Sequence, residues 1–239
     1  MKIKHILLTI FLVAVAQSCK NLDEGKHLFI LSGQSNMSLL DPEISFIPHM
    51  KNKFGEDKVI FVKSAYGGQP IMRWYKNWKY EDKVSPTGAD LYDSLINKTQ
   101  KAILNEKLAS ISFFWMQGER DSWGYGSVYK ESLMGIHRQL KNDLGREDIN
   151  FVIGRLSDFG NDIEKMKRPD WMMIREIQVN LALSDPRIEW IDTDDLNDGI
   201  NNKGKTIKND LHMSVEGYRI MGERFAQKGE ALINKHMNN

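Results

Sequence analysis

The chain has 239 residues, of which 41% are apolar and 27% charged, with a formal net charge of +1. This balance is that of a globular protein and excludes wholesale disorder, and the length suits one well-buried domain. The nearly neutral charge, without long runs of like charges, argues against a nucleic-acid-binding surface.

The first 18 residues have the pattern of a signal peptide. A short positive leader precedes an almost unbroken apolar run over residues 6–16, which is too short to span a bilayer comfortably. The chain's single cysteine, Cys19, stands where a bacterial lipobox requires one. We therefore expect export, cleavage after residue 18, a membrane anchor through lipidated Cys19, and a tether over residues 19–26. The alternative is ordinary secretion, with Cys19 incidental.

Residues 27–236 alternate short apolar runs, rich in β-branched and aromatic side chains, with amphipathic segments. The predicted strands cover residues 27–31, 59–63, 111–116, 150–156 and 188–191, and the predicted helices cover 91–108, 128–144, 171–184 and 215–235. This alternation predicts one α/β domain with a parallel sheet covered on both faces. In such a sheet, ligands bind beyond the carboxyl ends of the strands.

The residues after the first predicted strand indicate catalysis. The run Gly33-Gln34-Ser35-Asn36 forms a tight glycine turn that places Ser35 where a helix could begin. This geometry lifts a hydroxyl clear of the sheet edge and points backbone N–H groups into the same space. A hydroxyl beside free N–H donors is half of an acyl-transfer site. His212, near the far end of the chain, could supply the base, so the two together predict a serine esterase.

Four motifs stand in order along the chain: Gly-Gln-Ser-Asn-Met at 33–37, Gly-Gly-Gln-Pro-Ile at 67–71, Trp-Met-Gln-Gly-Glu-Arg-Asp at 115–121 and His-Met-Ser-Val-Glu-Gly-Tyr-Arg at 212–219. Together they resemble the carbohydrate-esterase branch of the SGNH, or GDSL-like, hydrolases, which contains acetyl xylan esterases and sialic-acid-specific O-acetylesterases. The resemblance implies a flavodoxin-like three-layer α/β/α sandwich with a parallel central sheet. It also implies hydrolysis of O-acetyl esters on carbohydrates through an acetyl-serine intermediate, with neither metal nor cofactor.

The same resemblance implies a role for each motif. Ser35 is the expected nucleophile and His212 its general base. The backbone N–H groups of Ser35 and Gly68 and the side-chain amide of Gln117 are the expected oxyanion hole. A serine hydroxyl is a weak nucleophile until a base removes its proton, and an imidazole titrates in the range where it can do so. Fixed donors then stabilise the oxyanion of the tetrahedral intermediate.

The acid of the triad has two candidates. Many relatives carry an aspartate three residues before the histidine, where this chain has Asn209. An asparagine could orient the imidazole but could not stabilise its positive charge. Asp210, two residues before His212, is favoured, and Glu119 is the alternative.

The sequence specifies the substrate contacts and the substrate class less closely than the candidate catalytic residues. Residues expected near the sugar are Gln34, Asn36, Arg73, Trp74 and Arg120. Trp74, Trp78 and Trp123 are available for stacking on a sugar face. Acetylated xylan and acetylated sialic acid both remain open as substrates. Two further functions remain as alternatives: a non-catalytic glycan-binding lipoprotein of the same fold, and an SGNH lipase or thioesterase.

Overall fold

The apolar runs form a five-stranded parallel sheet, seen in a computed structural model that describes residues 25–237. Its strands are β1 (Lys26–Gly33), β2 (Val59–Ala65), β3 (Leu108–Met116), β4 (Asn150–Gly154) and β5 (Ile188–Ile191). Their order across the sheet is β2-β1-β3-β4-β5. This is the flavodoxin-like order of doubly wound folds, so the predicted fold class is confirmed.

Helices connect these strands. They are α1 (Ser35–Leu39), α2 (Phe46–Phe54), α3 (Asp90–Ala102), α4 (Gly126–Leu144), α5 (Ile163–Met166), α6 (Trp171–Ser184) and α7 (Val215–Met237). Short 3-10 helices cover Glu56–Lys58, Ile71–Arg73, Asp121–Trp123 and Asp158–Gly160. Two small antiparallel pairs complete the described structure: Lys79–Tyr80 with Lys83–Val84, and Gly199–Ile200 with Thr206–Ile207.

Two apolar clusters bury the two faces of the sheet. Alternate residues of β1 point to opposite sides: Leu28 and Ile30 join one cluster, and Phe29 and Leu31 join the other. Helices α3, α4 and α6 pack on the first face, while α2 and α7 pack on the second. The molecule is therefore a three-layer α/β/α sandwich, whose central strands read as continuous apolar runs because both faces are covered.

The largest boundary difference lies between α3 and β3. The sequence predicts a helix over residues 91–108, but α3 ends at Ala102 and β3 already begins at Leu108. Asn105 adopts a left-handed conformation, with φ of 64°. An asparagine tolerates this conformation better than most residues, and a helix cannot continue through it. The helical prediction for residues 103–108 was wrong because the apolar pattern continues past this turn.

The fold brings the carboxyl ends of β1, β2 and β3 together. The chain places β2 on one side of β1 and then crosses over to place β3 on the other side. This reversal is the switch point at which open α/β sheets bind ligands. At the end of β1 the backbones are very close: a Cβ added to Gly33 would lie 2.0 Å from the Met116 carbonyl oxygen. Gly33 also has a φ of 142°, which favours glycine.

The predicted signal peptide, the lipidation of Cys19 and most of the predicted tether lie outside the described residues and stay predictions. β1 begins at Lys26, one residue before the expected start of the domain. Within residues 25–237, no helix combines the length and apolar character needed to cross a membrane.

We expect Gly33→Ala to reduce the free energy of unfolding by about 3 kcal/mol, because the added methyl group meets the Met116 carbonyl and the backbone is strained. The matched control is Gly145→Ala at the end of α4. That glycine has a φ of 62° with no atom within 4 Å of an added Cβ. The control should lose only about 1 kcal/mol from backbone strain. Equal losses in urea denaturation would contradict the argument from close packing.

Candidate active site

Ser35 is the first residue of α1 and directly follows the β1 turn. The loop after β2 packs against it, since a Cβ added to Gly67 would lie 3.9 Å from the Ser35 Cβ. Gln34 is tied to the neighbouring strand through its N–H, which donates to the Met116 carbonyl at 2.9 Å. The seryl side chain is half-buried. The turn that places it is thus held by β3 on one side and by the β2 loop on the other.

A cavity of about 300 Å³ opens beside Ser35. It is lined by residues from five loops or helix ends: Gln34, Ser35, Gly68, Glu119, Arg120, Trp123, Arg168, Leu211 and His212. A second cavity of about 330 Å³, which includes Asp210 and Tyr218, shares His212 with the first. The fold therefore brings together Ser35, Gly68, Glu119 and His212, although they are far apart along the chain.

A buried amide holds these loops together. The Asn36 Nδ2 donates to Glu119 Oε1 at 2.8 Å and to the Leu211 carbonyl at 3.1 Å. Its Oδ1 accepts from the Tyr218 hydroxyl at 2.9 Å. Asn36 is only 1% exposed. The expectation that Asn36 contacts substrate is therefore corrected: its polar atoms are occupied within the protein, and it ties α1 to the loop that carries His212.

Glu119 reaches the cavity as a buried carboxyl. Its Oε1 accepts from Asn36, whereas its Oε2 has no hydrogen-bond partner among the described residues. Burial raises the pKa of Glu119 above its ordinary value, and the Asn36 bond and the nearby Arg168 charge only partly oppose this. The Glu119 carboxyl is thus biased towards its neutral form.

Asp210 is fixed on the same short loop as His212. Its Oδ1 accepts from the backbone N–H of His212 at 2.9 Å. Asn209, in contrast, has a φ of 43°, and its side-chain oxygen accepts from Asn197 Nδ2 at 3.1 Å. Of the two residues, Asp210 is therefore the one hydrogen-bonded to His212, while the amide of Asn209 is engaged with the loop after β5.

Gln117 lies below the cavity and is fully buried. Its Nε2 donates to the Gln69 carbonyl at 3.1 Å and also to the Asp121 carboxylate. Both hydrogens of this amide are therefore used inside the protein, and Oε1 has no partner in the described part of the chain. Gln117 does not line the 300 Å³ cavity. In this geometry it supports the loop of Gly68 from beneath.

Among the expected substrate contacts, Trp74 is also corrected. Its ring is fully buried, and its Nε1 donates to Ser32 Oγ at 3.1 Å, so it belongs to the core. Arg73 forms an ion pair with Asp90 and donates to Gln69 Oε1 at 2.8 Å. Trp78 is buried as well, so of the three tryptophans expected near the sugar, Trp123 is the exposed one. Gln34 and Arg120, by contrast, do line the cavity.

Arg168 lines the cavity and is 8% exposed, but no sequence pattern singles it out. Its Nη1 donates to the Glu119 carbonyl at 2.6 Å. The guanidinium groups of Arg168 and Arg120 each lie 4.5 Å from the ring centroid of Trp123, which is 48% exposed. Arg168 stands in a polar run without a recognisable motif, so only the tertiary structure could identify it. The three side chains form a rigid aromatic and cationic rim.

The described residues contain no group of three His, Cys, Asp or Glu side chains arranged to hold a metal ion. The chemistry available at this site comes from the hydroxyl, the imidazole, the carboxyls and the backbone N–H groups named above.

Solved structures with the same fold include several esterases. A protein from Arabidopsis thaliana aligns with a TM-score of 0.63 and 19% identity, over 88% of this chain and 98% of that one. A carbohydrate acetylesterase from Xanthomonas citri aligns with a TM-score of 0.63 and 18% identity, over 89% of this chain and 57% of that one. A family 3 carbohydrate esterase from Clostridium thermocellum gives a TM-score of 0.53 and 11% identity, over 88% and 98%. At these identities the likeness establishes the fold.

The family assignment comes from sequence. Among curated proteins, none matches the chain. The family described as "Carbohydrate esterase, sialic acid-specific acetylesterase" matches residues 38–230, which is most of the chain. The resemblance inferred from the four motifs is therefore confirmed. The chain belongs to the sialic acid-specific acetylesterase family of carbohydrate esterases, and is a carboxylic ester hydrolase.

Proposed function

We propose that the chain is a serine esterase that hydrolyses O-acetyl esters on carbohydrates through an acetyl-serine intermediate. The observation that carries the proposal is that Ser35, Gly68 and His212 line one cavity at the switch point of the sheet. They come from three separate segments of the chain, and together they supply a nucleophile, a backbone donor and a base.

The proposed reaction has two halves. His212 removes the Ser35 proton as Oγ attacks the acetyl carbonyl, and the resulting imidazolium then protonates the departing sugar alkoxide. Water, deprotonated by the same imidazole, then attacks the acetyl-serine carbonyl. The bond from Oγ to the acetyl group breaks, the imidazolium returns its proton to Ser35 Oγ, and acetate leaves. In both halves, negative charge develops on the carbonyl oxygen, and the N–H groups of Ser35 and Gly68 are the proposed donors to it.

The resemblance also implies the Gln117 amide as a third donor. As the side chain lies, its two amide hydrogens are bound to Gln69 and Asp121. Donation to the oxyanion would require release of one of these acceptors, so these contacts favour the backbone N–H groups as the donors. The backbone donors of Ser35 and Gly68 require no such exchange.

Asp210 is the proposed acid of the triad. A triad carboxylate must be ionised to stabilise the imidazolium that forms on His212. Burial shifts Glu119 towards its neutral form, and its one bonded oxygen is held by Asn36. Asp210 is fixed to the His212 backbone and lines the adjoining cavity, which shares His212. These contacts support Asp210 over Glu119.

The proposed substrate is an acetylated carbohydrate, either acetylated xylan or acetylated sialic acid. Trp123 at the cavity rim offers an exposed ring for a sugar face, and its position between catalytic and cationic side chains supports a sugar rather than a lipid chain. A lipid or thioester substrate would be expected to require a longer apolar channel, whereas charged and polar residues surround this cavity.

We expect Ser35→Ala to abolish acetate release from acetylated xylan and from O-acetylated sialic acid, because no nucleophile remains. Ser38→Ala is the matched control, as it removes an exposed hydroxyl from the same helix. The control should retain wild-type activity, and both variants should keep the wild-type far-UV circular dichroism spectrum. Equal acetate release by wild type and Ser35→Ala would disprove the serine mechanism. A wild type that binds these glycans but releases no acetate would favour the glycan-binding alternative.

The assignment of the acid is tested by Asp210→Asn and Glu119→Gln. We expect Asp210→Asn to lower kcat by about 10³- to 10⁴-fold, since the imidazolium loses its counter-charge. Glu119→Gln should cost less than Asp210→Asn, because burial disfavours the charged form of the Glu119 carboxyl and its bonded oxygen is held by Asn36. Steady-state kinetics with p-nitrophenyl acetate measure both. The reverse order of the two losses would transfer the acid role to Glu119.

A further inference from the structure

We propose that Asp121 is a positioning residue for ester hydrolysis: its buried carboxylate fixes the loop that carries Gly68 beside Ser35. This inference rests on the proposed function, because it concerns the placement of the oxyanion donors. Asp121 itself does not line the cavity and would act through Gln117 and Ile71.

The contacts of Asp121 join two motif loops. The residue begins the 3-10 helix Asp121–Trp123 after β3 and is fully buried. Its two oxygens accept from the Ile71 N–H at 3.2 and 2.9 Å, and Oδ2 also accepts from Gln117 Nε2. The Gln117 amide in turn donates to the Gln69 carbonyl at 3.1 Å. The loop after β2 is therefore held at Gln69 and at Ile71 by one carboxylate–amide pair.

Gly68 depends on these two attachments for its position. It has a φ of 68°, and no atom lies within 4 Å of a Cβ built on it, so side-chain packing does not hold it from the cavity side. Its neighbours in the chain are held instead, at Gln69 and Ile71. A displacement of about 1 Å at a reacting group can cost about 100-fold in rate. The Asp121 bonds therefore determine whether the Gly68 N–H faces the developing oxyanion.

The charge on Asp121 controls these bonds. Its pKa is raised to about 7 overall: burial is the largest cause and the Glu119 charge adds to it, while bonds from Gln117 and Ile71 and the charge of Arg120 oppose the rise. The pKa of Tyr129 is raised, chiefly by burial, and the nearby Asp121 charge contributes to this rise. The ionised carboxylate accepts hydrogen bonds from the Ile71 N–H and the Gln117 amide. Protonation turns one of its oxygens into a hydroxyl donor, which cannot pair with an N–H donor in the same way. The well-positioned state is therefore present above pH 7 and lost as the pH falls through about 7.

The decisive experiment compares Asp121→Asn with wild type, using p-nitrophenyl acetate. We expect kcat to fall by about 10- to 100-fold while KM changes by less than about threefold, because donors to the oxyanion act on the transition state. Binding of methylboronic acid, which forms a tetrahedral adduct with serine, should weaken by a similar factor. Asp143→Asn is the matched control. It removes a carboxylate that accepts a hydrogen bond from the Tyr92 hydroxyl and does not line the cavity. The control should keep wild-type kcat.

The pH profile of kcat gives a second readout. In wild type, kcat should fall by about 10- to 100-fold as the pH is lowered through about 7, because protonation of Asp121 removes the acceptor of the loop hydrogen bonds. In Asp121→Asn this additional fall near pH 7 should be absent. If Asp121→Asn does not fold, the Ile71 amide proton of the wild type can be followed by NMR. Its chemical shift should titrate near pH 7, together with kcat.

The outcomes separate this inference from the proposed function. A wild type whose activity survives Ser35→Ala overturns the serine mechanism and this inference with it. A serine-dependent wild type in which Asp121→Asn keeps kcat within twofold overturns the positioning role alone. The role is also overturned if kcat and boronate binding fall by different factors, or if the Ile71 amide shows no titration near pH 7.

Discussion

The bonds of the Asn36 amide are the constraint on which the candidate site depends. This one side chain joins α1 to Glu119, to the loop of His212 and to α7, across sequence separations of 83, 175 and 182 residues. Each neutral bond adds only about 1 kcal/mol of net stability, but an orphaned buried partner costs about 1–3 kcal/mol. Breaking one contact leaves buried polar atoms without partners, and the network therefore resists partial disruption. It gives Ser35 and His212 a fixed relative position without any covalent link.

The sequence predicted the layers of this fold because the apolar pattern responds directly to burial on two faces. It also predicted that Ser35, Gly68 and Glu119 would meet, since each follows a neighbouring strand of a parallel sheet. The sequence did not predict which side chains of these segments are buried and which are exposed. Trp74 and Asn36 stand in motif loops but are buried, whereas Trp123 stands in a similar loop and is exposed. The difference arises from which side chains other segments cover, which depends on tertiary packing.

Two buried carboxyls, Glu119 and Asp121, are destabilised in their charged forms by burial. Each has a raised pKa in the folded state. A carboxyl whose folded-state pKa is raised binds its proton more tightly than in the unfolded chain, so its contribution to stability is full at low pH. For Asp121 this contribution is lost as the pH rises from the ordinary value of 3.8 towards about 7. The ionised form that accepts the loop hydrogen bonds is thus the form that burial disfavours.

The bond from Tyr218 to Asn36 also bears on how the protein is made. Tyr218 lies in α7, the last helix of the described chain, whereas Asn36 lies in α1, the first. During synthesis, the serine loop leaves the ribosome long before the segment that supplies the histidine and the tyrosine. On the proposed mechanism, the nascent chain completes its esterase site only after the histidine segment has been synthesised and α7 has docked. A chain truncated before α7 would keep Ser35 and His212 but would lose the Tyr218 bond to Asn36.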